Sequence, residues 1–165
     1  MEKPRRKTTR LKAYDYSAPG YYFLTLCTKD KQKLLCDIVG TGLLDGPQVQ
    51  LTKYGQIADG QLQTMKDFYP DIRLDKYVIM PNHIHLLVQL LDCGREPSGR
   101  PVPTDSKIAR FVGTFKRFCN KQYGINIWQN RSHDHVIRGE RDYVKIWEYI
   151  DNNPQRWAED CFYIE

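Results

Sequence analysis

The sequence predicts an α+β fold: a ferredoxin-like, split βαβ sandwich, with an antiparallel sheet, helices on one face and a C-terminal helix bearing tyrosines. Two observations predict it, and a third excludes a membrane span. Short runs rich in aromatic and β-branched residues alternate with runs of helical period. Their order reads strand, helix, strand, strand, helix, strand, helix, which is the split βαβ pattern. No apolar run approaches the ~20 residues that a membrane span needs. A chain of 165 residues, 41% hydrophobic and 27% charged, suits one soluble domain over 1–165 with residues 1–19 as a basic arm.

The elements follow in order. "GYYFLTLCTKD" (20–30) reads as the first strand. "KQKLLCDIVGTGLLDGPQVQ" (31–50) is broken by glycine and proline and reads as loop with short extended pieces. Leu51, Tyr54, Ala58, Leu62 and Met65 recur at spacings of three and four, which predicts a helix over 51–68 ended by "YPDI". "RLDKYVIM" and "HIHLLVQL" are two strand-like runs joined at Pro81-Asn82, either a hairpin or one bent strand. After the Gly/Pro-rich loop 92–105, Asp105 or Ser106 caps a second helix. Ile108, Phe111, Val112, Phe115, Phe118 and Cys119 form its apolar stripe. "INIWQNRSHDHVI" (125–137) suggests a fourth extended segment. The last helix begins near Glu140, carries Tyr143, Ile146, Trp147 and Ile150 on its core side, and ends where Pro154 restricts Asn153. "QRWAED" reads as one further short turn of helix.

Charge is unevenly placed. Lys and Arg number 25 against 20 Asp and Glu, and the first twelve residues hold six of the former and one of the latter. The rest of the chain therefore balances, and a basic arm on a neutral body points to a polyanion partner or to a solvated tail. Lys107, Arg110, Arg117 and Lys121 recur at helical spacing on the second helix, as a solvated face or a phosphate-contacting ridge. The five cysteines are odd in number and lack a C-x-x-C pair. That argues against a disulfide framework or zinc ribbon and fits a reducing, cytoplasmic setting. No apolar segment follows the basic N-terminus, so no signal peptide is expected.

"YVIMPNHIHLLVQL" places His83 and His85 one residue apart on a strand, so both rings project from one face. Ile84 between them would enter the core and lock that orientation. Two neutral imidazoles can then serve one divalent cation, although strand histidines are also commonly satisfied by backbone or water. His133-Asp134-His135 is a rival pair with no apolar anchor between the rings, and His135 is a candidate substrate contact. On the last helix Tyr149 and Asn153 stand four residues apart, hence on one face. A tyrosine can act as a nucleophile, and an amide oxygen one turn on can complete a ligand set with the histidines. Tyr143 competes with Tyr149 but lies more squarely on the apolar stripe.

These residues carry a resemblance. "YVIMPNHIHLLV" resembles the MPNHxHLL signature of the HUH single-strand DNA transposases, specifically the REP-associated tyrosine transposase group. "RKTTRLKAYDYSAPGYYFLTLCTKD" is similar to that group's opening segment, "NIWQ…DHVIR" to the stretch before its final helix, and "YIDNNPQRWAED" to its tyrosine helix and NP ending. The resemblance covers nearly the whole chain in order. It implies His83 and His85 as metal ligands, Tyr149 as nucleophile and Asn153 as the polar residue that accompanies them. It also implies Mg²⁺ or Mn²⁺ and a single-stranded DNA substrate, with an adjacent hairpin, cut and rejoined through a 5′-phosphotyrosine. Relatives act as monomers or homodimers, and both are expected as alternatives. A second reading is a domesticated relative that binds DNA without cutting it. "NRSHDH" lacks the aromatic residues that relatives carry before the position of His135. For DNA binding the expectation is that Arg5, Arg6 and Arg10 anchor a hairpin stem, that Lys107, Arg110, Arg117 and Lys121 track phosphates, and that Trp128 or a nearby tyrosine stacks a base. The phenol, the imidazoles and the cation are expected to meet at a cleft open to solvent.

Overall fold

In the computed structural model, residues 14, 16–40, 46–92 and 106–164 are described. The order is β1 (Gly20–Cys27), β2 (Cys36–Val39), β3 (Gln48–Leu51), α1 (Lys53–Phe68), β4 (Ile72–Met80), β5 (His83–Leu90), α2 (Lys107–Tyr123), β6 (His133–Ile137) and α3 (Glu140–Asn152). Four strands form an antiparallel sheet in the order β4-β5-β1-β6, and β2 and β3 form a separate hairpin within the expected loop region.

Strand alternation divides the core in two. Tyr22, Leu24 and Leu26 of β1 and Ile84, Leu86 and Val88 of β5 face α1 and α2, whose stripes supply Ala58, Leu62, Met65, Ile108, Phe111 and Phe115. The opposite face is smaller. There Leu87 and Ile137 of the sheet meet Ile146 and Ile150 of α3, with Phe23 and Tyr143 packed alongside. The three helices are thus divided between the faces: α1 and α2 cover one side, and α3 lies across the other. Burying each aliphatic side chain contributes about 1.5–3 kcal/mol, so a four-residue cluster suffices to seat one helix.

Local signals hold where residues are capped. Thr52 Oγ1 accepts from the Gly55 amide and starts α1, and its hydroxyl bonds the Leu34 and Leu35 carbonyls. A Cβ on Gly55 would overlap the Leu35 carbonyl oxygen, so this close approach requires glycine. Ser106 Oγ caps α2 at the Ala109 amide, and Gly124 ends the helix in the left-handed region at φ 73°. Pro81 and Asn82 make a hairpin, with Met80 paired to His83. The last strand is shorter than its sequence suggests. Residues 127–129 leave the strand path and bridge to the end of β1 through Lys29 N–H to Ile127 O and Gln129 N–H to Cys27 O.

Candidate active site

His83 and His85 sit on the α3 side of β5, and Ile84 between them is fully buried against the other helices. Their ring centroids are 4.4 Å apart. Each ring is fixed by a neighbour. Asn82 donates its amide N–H groups to the Lys31 and Phe162 carbonyls, which leaves its Oδ1 to accept from His83 Nδ1 at 2.9 Å. With the proton on Nδ1, His83 Nε2 keeps its lone pair, and that atom is buried without a partner. His85 Nδ1 lies 2.9 Å from Thr25 Oγ1 on the adjacent strand. A donated Nδ1–H there likewise frees His85 Nε2, the arrangement typical of a ligating histidine.

The last helix brings its tyrosine to the same place. Tyr149 Oη is 3.2 Å from His85 Nε2 and donates to Asp160 Oδ2 at 3.0 Å. Asn153, 2% exposed, directs its Nδ2 to the same carboxylate oxygen at 2.8 Å, while its Oδ1 has no partner. His83, His85 and Asp160 each offer a ligand atom within 4.8 Å of the others, and Asn153 stands beside them. Two buried acceptors without donors, His83 Nε2 and Asn153 Oδ1, are costly unless something positive lies between them. Two imidazole nitrogens with carboxylate and amide oxygens fit a divalent cation, Mg²⁺ by the oxygens and Mn²⁺ by the mixed set.

Electrostatics follow from burial. Desolvation lowers His83 to about 4, with the Asp160 charge opposing it. Desolvation and then His83 itself hold His85 well below the usual imidazole range. Burial first, then the Asp160 charge and hydrogen bond, push the Tyr149 phenol well above its ordinary value. Burial alone would raise Asp160. The Phe162 amide, the Asn153 amide and the neighbouring His83 outweigh it and hold the carboxyl below the usual range.

The expected open cleft is closed over its histidines. His83 and His85 are 0% and 1% exposed, whereas Tyr149 is 40% exposed. The Phe162 ring lies 4.7 Å from that of His83 and 6.0 Å from that of His85, and Trp157 lies 5.9 Å from His83. The turn after Pro154 therefore supplies both a carboxylate and a cover. Neither was expected. Asp160 lies seven residues beyond Asn153 across an irregular turn, so no helical or strand period points to it.

Other candidates fall elsewhere. Tyr143 donates to Asp75 Oδ2 at 3.0 Å and packs on Tyr21. His135 shares the α3 side of the sheet, is exposed, and pairs with Asp142 at 2.8 Å. Trp128 is a correction: it is 1% exposed and packs against Phe115 at 5.7 Å, so its ring is not available to stack a base. The bridge between Thr28 and Trp128 turns it inward. Arg110, Arg117 and Lys121 are exposed on α2, across the sheet from the histidines, and Lys107 is paired with Asp71 at 2.7 Å. Arg5, Arg6 and Arg10 lie outside the described residues.

No protein-family model matches the chain. An uncharacterized protein of Haemophilus influenzae is 31% identical over 175 aligned positions, spanning 97% of this chain and 94% of its own. A second Haemophilus influenzae protein, named for the REP-associated tyrosine transposases, is 27% identical over 85% of this chain and 73% of its own. Among solved structures, a REP-associated tyrosine transposase bound to a REP hairpin superposes with a TM-score of 0.63 at 21% identity, covering 96% of this chain and 75% of that one. Its fold is shared. Among the described residues, no helix is long and apolar enough to cross a membrane.

Proposed function

We propose that this chain, which belongs to the REP-associated tyrosine transposase group, cuts and rejoins single-stranded DNA through a covalent 5′-phosphotyrosine on Tyr149. The observation that carries the reading is the convergence of Tyr149 Oη, His85 Nε2 and the Asp160 carboxylate within hydrogen-bond distance, next to the unpaired His83 Nε2 and Asn153 Oδ1. The transposase-like fold and the DNA-binding character of the relatives support it.

His83, His85 and Asp160, with Asn153 Oδ1, would hold Mg²⁺ or Mn²⁺. When bound, the cation supplies positive charge that offsets the charge growing on a scissile phosphate. The chain's own residues do the rest. Asn82 and Thr25 orient the two imidazoles. Asp160 takes the phenol's hydrogen bond and holds Oη beside the imidazoles. Tyr149 Oη attacks phosphorus, the bond from phosphorus to the 3′ oxygen breaks, and the upstream strand leaves with a free 3′-OH. The phenol's proton leaves with the departing alkoxide or to solvent. A 3′-OH, from this strand or another, reverses the step. The phosphotyrosine conserves the phosphodiester, so no nucleotide triphosphate is consumed.

The alternative is a relative that binds DNA and no longer cuts. Incubation with single-stranded DNA and Mn²⁺, followed by a denaturing gel, separates the readings. A protein–DNA adduct that is lost in Tyr149→Phe supports strand transfer. Cleavage without an adduct indicates an activated water, and binding without cleavage indicates the silent relative.

A further inference from the structure

We propose that a second nucleotide of the bound strand occupies a depression of about 300 Å³ between the C-terminal half of α2 and residues 126–130, with its phosphate on Arg117 and its base against the amide of Asn130. The inference rests on the DNA-handling reading above and adds a recognition site to it.

Composition singles this depression out. Its lining includes two cations, Lys116 and Arg117, and four side-chain amides, among them Asn120, Asn126 and Asn130, and no carboxylate. The groove beside Tyr149 is of similar size, about 330 Å³, but Glu148, Glu159 and Asp160 line it against Lys145 and Arg156. A phosphate outside the cation site is therefore better received at α2. Amides match the donor and acceptor edges of bases, and arginine matches phosphate.

Two polar groups in the wall are unpaired and buried beneath its surface. Trp128 is 1% exposed and its Nε1–H has no acceptor, and the Oδ1 of Asn120 is buried without a donor. Neighbouring groups are committed. Lys116 Nζ donates to the Gln129 and Arg131 carbonyls at 2.7 and 3.5 Å, and Asn126 Oδ1 accepts from Asn120 Nδ2 and the Trp128 amide, both at 3.1 Å. Those bonds hold the wall rigid. Arg117 and Asn130 are exposed and make no hydrogen bond within the chain among the described residues. The surface is thus built but not self-satisfied.

A strand that also reaches Tyr149 on the other face would pass round the edge of the sheet beside residues 127–129. Gln129 N–H bonds Cys27 O, and Cys27 pairs with His83 on the next strand. The backbone of that wall is then two strand spacings, about 10 Å, from the backbone of His83, while the depression itself opens on the α2 side of the sheet, opposite the imidazoles and Tyr149. It stands at the same end of the sheet.

The test is fluorescence anisotropy in chelator-containing buffer with labelled single-stranded 20-mers: one of mixed sequence and one with abasic sugars throughout. Arg117→Ala is expected to weaken both strands about equally and to lower the salt slope by about one. Asn130→Ala is expected to weaken the base-bearing strand about 5-fold and leave the abasic strand unchanged. Both side chains are exposed, so neither change removes core packing, and thermal melting checks the fold. Wild-type affinity retained in both variants would overturn the site and leave the DNA-handling reading standing. No binding of either strand by the wild-type protein would overturn both.

Discussion

The hydroxyl of Tyr149 donates to the carboxylate of Asp160 at 3.0 Å, and that same oxygen takes the Asn153 amide at 2.8 Å. One acidic side chain thus ties the helix of the proposed nucleophile to the candidate cation site. The tie also disfavours the phenolate, because the carboxylate charge adds to the effect of burial. Ionisation of the phenol therefore depends on positive charge being supplied nearby.

Asp160→Asn keeps the shape and removes the charge. Mn²⁺ affinity, measured by calorimetric titration, is expected to fall by about 10- to 100-fold. In metal-free buffer the Tyr149 phenol, followed by its ultraviolet absorbance against a Tyr149→Phe control, is expected to titrate at lower pH than in the wild type. Unchanged metal affinity would remove Asp160 from the proposed ligand set.

Thr25→Val removes the hydroxyl that fixes His85 Nδ1 with little change of volume. Thr25 is 3% exposed, so the variant tests orientation and not access. Mn²⁺ affinity is expected to fall about 10-fold while the melting temperature moves little. A large loss of stability with intact metal binding would make the contact purely structural.

Acid should destabilise the metal-free protein through its histidines. Unfolded imidazoles titrate near ~6.5, whereas burial lowers His83 to about 4 and His85 well below its usual range. Above ~6.5 both states are neutral and nothing is lost. Below it the unfolded chain takes up protons that the folded site refuses. Stability then falls by up to about 1.4 kcal/mol per pH unit for each histidine until the folded value is reached. Scanning calorimetry in chelator should show the melting temperature dropping between about pH 6.5 and 4.5, with a shallower drop in His83→Gln. A melting temperature flat over this range would contradict the buried, neutral assignment.

Phe162 covers both rings. Phe162→Ala is expected to increase the rate at which diethyl pyrocarbonate modifies the histidine pair, read at 240 nm with His83→Gln and His85→Gln variants to assign the signal. Equal rates in wild type and variant would mean that reagents already reach the rings by another path.

Much of this architecture is legible in the order of residues, for reasons that differ by element. The period of two through His83, Ile84 and His85 places both imidazoles opposite the core, and the spacing of four places Tyr149 and Asn153 together; regular elements carry direction in their sequence. Irregular ones do not. Asp160 and Phe162 reach the histidines only because the chain folds back after Pro154, and Trp128 turns inward only because residues 127–129 bond to the end of β1. The basic spacing on α2 was readable as a ridge. Its position across the sheet from the histidines depended on which face α3 would take, and that was decided by Leu87 and Ile137 meeting Ile146 and Ile150.

The central claim is that Tyr149 forms the bond to DNA. Digesting the Mn²⁺-dependent protein–DNA adduct and sequencing the linked peptide by mass spectrometry tests it directly. The account predicts a nucleotide joined through its 5′ phosphate to Tyr149. A linkage at Tyr143, Tyr163 or any other side chain would contradict it, as would DNA cut under these conditions with no linked peptide at all.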